Sequence, residues 1–185
     1  LEVKQLASAQ TNMGNFLKED NLNILPGSYS FDLNTNTTSY EFQFNVSDDD
    51  TNRSVQDKLE KLIKTANIGL TAEVISNDSN MSSLKIESKQ TGLSENESYL
   101  FNIVPDGANL SKSAMDTLGI GQISSPASNS SFLLNGTTHS SYSNTFTINN
   151  TFELTLNGVS EDDSSANIGF KTNVDAVADN IEALV

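Results

Sequence analysis

Between residues 28 and 46 the chain reads as two alternating runs, "SYSFDL" and "SYEFQFNV", the second with Tyr40, Phe42, Phe44 and Val46 interleaved with Glu41, Gln43 and Asn45. A period of two sends successive side chains to opposite faces, so the spacing predicts a hairpin joined by "NTNTT", one face buried and the other wet. The turn at Pro26-Gly27 opens it. The period then changes. In "SVQDKLEKLIKTAN" Val55, Leu59, Leu62, Ile63 and Ala66 recur at helical spacing, which predicts an amphipathic helix of roughly three to four turns with Ser54 as its N-cap. Alternation returns in "GLTAEVIS" and "SSLKIESK", two strands about the polar turn "NDSN", and in a further strand at "YLFNIV".

A shorter helix is predicted at "SKSAMDTLG", capped by Ser111, with Ala114, Met115 and Leu118 inward and Gly119 as its stop. The Gly, Pro and Ser content of "IGQISSPASNSS" predicts a connection between domains. Beyond it lie strands at "SFLLN", "NTFTI", "TFELTLNGV" and "ANIGFKT", then a terminal helix in "NVDAVADNIEALV" with Val174, Val177, Ala178 and Ile181 on one face. Asn135-Gly136 and Asn157-Gly158 read as turns. Glu161-Asp162-Asp163 reads as the charged tip of a hairpin between "LTLNGV" and "NIGF". At the start, "LEVKQLASAQTNMGNFL" runs into a loop at Gly14, and its residues 4 to 10 fit either a strand or a helix. No repeat of solenoid type is present.

Composition narrows the picture. Only 36% of the 185 residues are apolar, and uncharged Ser, Thr and Asn replace them rather than the Glu and Lys of a disordered chain. That mixture suits turn-rich β-structure, in one ordinary domain or two small ones. With 24 acidic and 10 basic residues the formal charge is −14, which disfavours nucleic acid and anionic membrane surfaces as partners. Cysteine is absent, so disulfides, thiolate catalysis and cysteine metal sites are excluded. No run reaches the roughly 18 apolar residues of a membrane span, and "LEVKQLASAQ" lacks the basic and hydrophobic regions of a signal peptide. A start at Leu1 without Met is what a piece of a longer protein is expected to show.

Candidate chemistry is sparse. His139 is the only histidine and lies in a Thr/Ser-rich turn, which argues against a Ser-His-Asp triad and removes a multi-histidine zinc site. Asp48, Asp50 and Asn52 match the first three ligand positions of a calcium loop, but Arg53 stands where such loops need Gly and Leu59 where they need Glu. The competing reading is a solvated turn whose carboxylates favour the helix N-terminus. Glycoside hydrolysis wants aromatic platforms, and there is no tryptophan. "GIGQIS" lacks the strand and helix that a phosphate loop needs. Asn-x-Ser/Thr triplets at Asn36, Asn45, Asn80, Asn109, Asn129 and Asn135 follow from a composition so rich in those residues. The expectation is no enzyme and no cofactor.

One larger pattern emerges from the order of the segments. "VKQLASAQ" at Val3 to Gln10, "VQDKLEKLIKTAN", "GLTAEVI", "LKIESKQTG" ending at Gly92, "PASNSSFLLNG", "YSNTFTINNTFELTLNGV" and "NVDAVADNIEALV" resemble, in sequence, the middle region of the flagellar filament cap family, hook-associated protein 2 or FliD. No single motif is specific; their succession is. Asn150 departs from the Gly common in the family's turn, and the helical ends that pack within the filament are missing.

The resemblance implies a mostly β fold with α+β character: two small domains of antiparallel sheet with few helices, the second inserted into the first. Residues 1-25 and 125-185 would form the β-rich inner domain and residues 26-124 the α+β outer domain. It implies a structural role as the cap at the distal filament end, promoting flagellin folding and polymerisation by steric means that need no reactive residue. Flagellin and hook-associated proteins would be the partners, with ring formation by the full-length protein and a monomeric fragment. Host mucin or surface glycans would be partners in adhesion. Export by the flagellar apparatus to an extracellular site agrees with the missing cysteines. Two other readings stay open: another flagellar axial protein, such as a hook-filament junction protein or a flagellin variable region, and an unrelated surface adhesin or carbohydrate-binding module.

Overall fold

The computed structural model describes residues 1–148, 152–161 and 164–168. Up to the first helix the strands are β1 (Glu2–Gln5), β2 (Ala9–Met13), β3 (Leu17–Lys18), β4 (Gly27–Thr35) and β5 (Ser39–Val46). Helix α1 (Asn52–Ala66) is followed by β6 (Leu70–Asn77), β7 (Met81–Thr91), β8 (Phe101–Pro105) and α2 (Asn109–Leu118). The remaining strands are β9 (Ile123–Ser125), β10 (Ser130–Leu134), β11 (Thr137–Ser141), β12 (Thr145–Ile148) and β13 (Phe152–Thr155). Every strand pairing among the described residues is antiparallel, so the mostly β class with few helices holds.

The hairpin β4–β5 forms in the expected register, with Tyr29 opposite Phe44 and Phe31 opposite Phe42. Both ring pairs stack at 5.3 Å between centroids, an arrangement that aromatic quadrupoles favour. Strand β8 pairs with the other edge of β4. A second sheet runs β3-β7-β2-β9, with β6 also on β7. Side chains from both sheets and both helices share one large core, in which Phe31, Leu33, Leu59, Ile63, Leu84, Ile86 and Phe101 are fully buried.

Helix α1 is capped by Thr51 rather than Ser54. Thr51 is extended and its hydroxyl accepts from the Ser54 amide, while the Ser54 hydroxyl accepts from the Thr51 amide. This is a reciprocal capping box, with Ser54 at the third helical position. The same displacement by three residues occurs at α2: Ala108 is the N-cap, and Ser111 is buried inside the helix, accepting from Ser30 N at 3.2 Å. Ala114, Met115 and Leu118 are buried as expected, and Gly119 ends the helix in a left-handed conformation (φ 70°).

A smaller core gathers Val3, Phe132 and Leu156, with Leu1, Leu6, Leu134, Phe146 and Leu154 packed around them. Its sheet is β1-β10-β11. The polar stretch "TTHSS", expected as a turn, is strand β11; His139 lies opposite Phe132 and stacks on it at 5.6 Å. Asn135-Gly136 is the turn of that hairpin, both residues having positive φ (53° and 80°), as a two-residue type I′ turn demands. Asn157-Gly158 makes no such turn. From there the chain runs back along the start of the protein: Ser160 N donates to Val3 O (2.9 Å), and Leu1 and Ala166 exchange two backbone hydrogen bonds of 2.8 Å. The expected strand at "ANIGFKT" has no strand in its described residues 166–168, and Asp162, Asp163 and the expected terminal helix lie outside the described residues.

Residues 4 to 10, which fitted either strand or helix, form no helix: they hold the end of β1, the isolated Ser8–Ser128 bridge and the start of β2. Within the segment 1-25, β1 lies with the smaller core, whereas Leu17, Leu22 and Ile24 pack on the larger one. Nor is 119–130 a loose connection. Ile120 is fully buried, β9 pairs with β2, and Ser8 bridges to Ser128. Small residues there permit close backbone packing rather than mobility.

Candidate functional site

Asp48, Asp50 and Asn52 do not converge. Asp48 is exposed. Both oxygens of Asp50 are taken: Oδ2 accepts from Ser47 N (2.8 Å), the Ser47 hydroxyl (3.0 Å) and Lys58 Nζ (2.5 Å), and Oδ1 accepts from the Ser54 hydroxyl (2.7 Å). The Lys58 ammonium foremost, then the Ser47 amide, hold its carboxyl well below the usual range, against the opposing effect of burial. Asn52 is fully buried; its Oδ1 accepts from Asn23 N (2.9 Å) and its Nδ2 donates to Lys18 O (2.8 Å). A cation would have to displace Lys58 from Asp50 and detach Asn52 from the segment that it anchors. Among the described residues no group of three or more His, Asp or Glu could hold a metal.

Asn52 introduces a device that recurs elsewhere. A side-chain amide carries one acceptor and a donor group, as a peptide unit does, so it can satisfy a backbone N–H and a backbone C=O together. Gln10, the last residue of "LASAQ", is fully buried; its Oε1 accepts from Leu100 N (2.7 Å), and its Nε2 donates to Phe101 O (2.7 Å) and Asn12 Oδ1 (2.9 Å). Asn12, also fully buried, passes the chain on by donating to Ile120 O (3.0 Å). Asn129 clasps Leu93, accepting from its N (2.6 Å) and donating to its O (2.9 Å). Asn144 does the same to Ala7, at 2.7 and 3.0 Å.

The Asn129 and Asn144 clasps lie where the chain passes between the two cores. There Ser8 and Ser128 exchange backbone hydrogen bonds (2.9 and 3.2 Å) and their hydroxyls meet at 2.8 Å. Gly92 N donates to Ser8 O (3.1 Å), and Thr91 Oγ1 donates to Tyr142 O (2.7 Å). Gly92 has φ 73°, and a Cβ on it would lie 2.5 Å from Tyr142 Cα and O, so no other residue fits. Beside this junction opens a cleft of about 480 Å³ lined by Lys89, Gln90, Thr91, Glu97, Tyr142 and Ser143. Tyr142 is 55% exposed at its rim. The polar groups of the junction are engaged with one another and with the backbone, so their work is mechanical: they tie two β-structures together.

The sequence offered Gln10 as part of a motif. Asn129 and Asn144 also fell within motifs of the resemblance, but nothing in the sequence told of their clasps, because each stands among other small polar residues and its partner is 36 or 137 positions away.

No protein-family model matches the chain, and no curated protein does. Solved structures do. The D2-D3 domains of the flagellar cap protein FliD from Escherichia coli align with a TM-score of 0.64 and 21% identity, covering 86% of this chain and 82% of that one. Those from Serratia marcescens align at 0.62 and 20% identity, covering 88% and 87%. FliD (HAP2) from Pseudomonas aeruginosa aligns at 0.58 and 17% identity, covering 99% of this chain and 85% of that one. The chain therefore has the fold of flagellar cap D2-D3 domains, as its motifs led one to expect.

Proposed function

We propose that this chain is the outer portion of a flagellar filament cap, an extracellular structural protein at the distal tip that supports flagellin folding and polymerisation. The observation that carries the reading is the agreement of two separate things: the order of weak motifs from Val3 onward, and a fold likeness to cap structures that spans nearly the whole chain.

The reading includes an inserted architecture. The chain leaves the smaller unit at Ser8 and returns at Ser128, side by side, which favours a division into residues 1–8 with 126 onward, and residues 9–125. Flagellin and hook-associated proteins are the proposed partners, with ring assembly left to the full-length protein. The isolated chain, at −14 formal charge, is expected to stay monomeric at micromolar concentration by light scattering; a stable ring would refute that. Adhesion to mucin or surface glycans is proposed as a secondary activity of the exposed units.

Immunogold labelling of intact flagella with antibody against this chain tests the assignment. Label confined to filament tips is the expected result. Label along the filament, at the hook, or over the cell body would overturn it in favour of a flagellin, a junction protein or an unrelated adhesin, respectively. Deleting the gene should also release unpolymerised flagellin into the medium.

A further inference from the structure

The two Asn-Gly pairs of this chain are equally exposed but differ in backbone setting, and the geometry points to Asn157 as a site of spontaneous deamidation and isomerisation from which Asn135 is protected. In this reaction the backbone nitrogen of the following glycine attacks the asparagine Cγ. A C–N bond forms, ammonia leaves, and a five-membered succinimide results. Water then opens the ring at one carbonyl or the other, giving aspartate or isoaspartate. No oxidant or cofactor enters, and each turnover adds one negative charge. Glycine is the favoured successor because it has no side chain to obstruct the attack and the greatest backbone freedom.

Asn157, Gly158 and Val159 are all exposed. Neither the Asn157 amide nor Gly158 N–H is hydrogen-bonded to any described residue, and a Cβ built on Gly158 meets nothing within 4 Å. Among the described residues nothing holds either the nucleophile or the amide that it attacks; the open space is shared with Gly136, and the backbone makes the difference. The segment is fastened only at its ends: Leu156 N donates to Asn144 O (2.7 Å) and Ser160 N to Val3 O (2.9 Å).

Asn135-Gly136 is held differently. Both residues have positive φ inside a turn closed by the Leu134–Thr137 pair and the β10–β11 ladder behind it. Bringing Gly136 N onto the Asn135 side chain requires Asn135 to leave the left-handed conformation, and that opens the ladder. Isoaspartate at 157 would have a further effect. Its extra backbone methylene falls between the two fastenings, so the Ser160–Val3 bond should weaken as the protein ages.

The test is incubation of the purified chain in mildly alkaline buffer at physiological temperature, followed by proteolysis and mass spectrometry of the two Asn-Gly peptides. Conversion at Asn157 several-fold faster than at Asn135 is expected, with the difference abolished in concentrated denaturant. Gly158→Ala, whose methyl enters open space, should slow conversion at Asn157 several-fold without altering Asn135 or the melting temperature. Equal rates at the two sites in the folded protein, or no slowing by Gly158→Ala, would overturn the inference.

Discussion

Replacing Gln10 by leucine isolates the amide from its bulk. The side chain is fully buried, and its loss leaves Leu100 N–H, the Phe101 carbonyl and Asn12 Oδ1 without the partners at 2.7, 2.7 and 2.9 Å. A buried polar group left unpaired costs about 1–3 kcal/mol, and leucine recovers about 2 kcal/mol through its apolar surface. Leu100 is only half-buried, so water relieves part of the penalty there, and the net destabilisation comes to about 3 kcal/mol. With a urea dependence of about 2 kcal/mol per molar, the unfolding midpoint should fall by about 1.5 M in circular dichroism. Asn12→Leu should be destabilising as well. The double variant should cost about 1 kcal/mol less than the sum, because the Gln10–Asn12 bond would otherwise be counted twice. A midpoint shift under about 0.5 M for Gln10→Leu, or strict additivity, would refute the idea that these amides form one buried network.

Asp50 should make stability acid-sensitive. Its carboxyl is depressed in the fold, chiefly by Lys58, so its contribution is complete above about pH 4 and is lost as pH falls toward the folded value. Thermal melts of Asp50→Asn should show a flatter decline below about pH 4 than wild type, and an identical decline would contradict this. Gly92→Ala combines φ 73° with a Cβ 2.5 Å from Tyr142 and should cost about 2–3 kcal/mol in chemical denaturation. Gly158→Ala, with open space around it, should stay within about 0.5 kcal/mol. Thr51→Ala should cost about 1 kcal/mol and Ser54→Ala less, an order reversed if Ser54 were the cap.

The parts of the fold legible in sequence were those with sustained periodicity. The β4–β5 hairpin, α1 and the inward face of α2 each rest on at least three apolar residues at one spacing, and burial acts on such patterns directly. Strand β11 has no apolar residue to report it; it exists because β10 offers a ladder and Phe132 offers a ring for His139. The 119–130 segment misled because Gly, Ser and Pro mark loops on average, yet here Ile120 and Ala127 are buried within it. Leu17, Leu22 and Ile24 are too scattered to show a period, although they pack on the larger core. Of the junction, Ser8, Gly92, Asn129 and Asn144 lay within motifs, but their pairing did not show, because the partners are far apart in sequence.

The abundance of Asn and Ser, first read as turn chemistry, has a second cause at the junction. Where a chain crosses between two cores it must leave one ladder before entering the next, and the backbone groups on either side lose their strand partners. At Ala7 and Leu93 an apolar neighbour would leave both N–H and C=O unpaired, at a cost that burial could not offset. Asn144 and Asn129 instead supply both bonds from a single side chain, each acting as a peptide unit that need not belong to a strand. The larger and the smaller core are thus tied together by polar bonds at the crossing, a role that Asn and Ser can fill and apolar residues cannot.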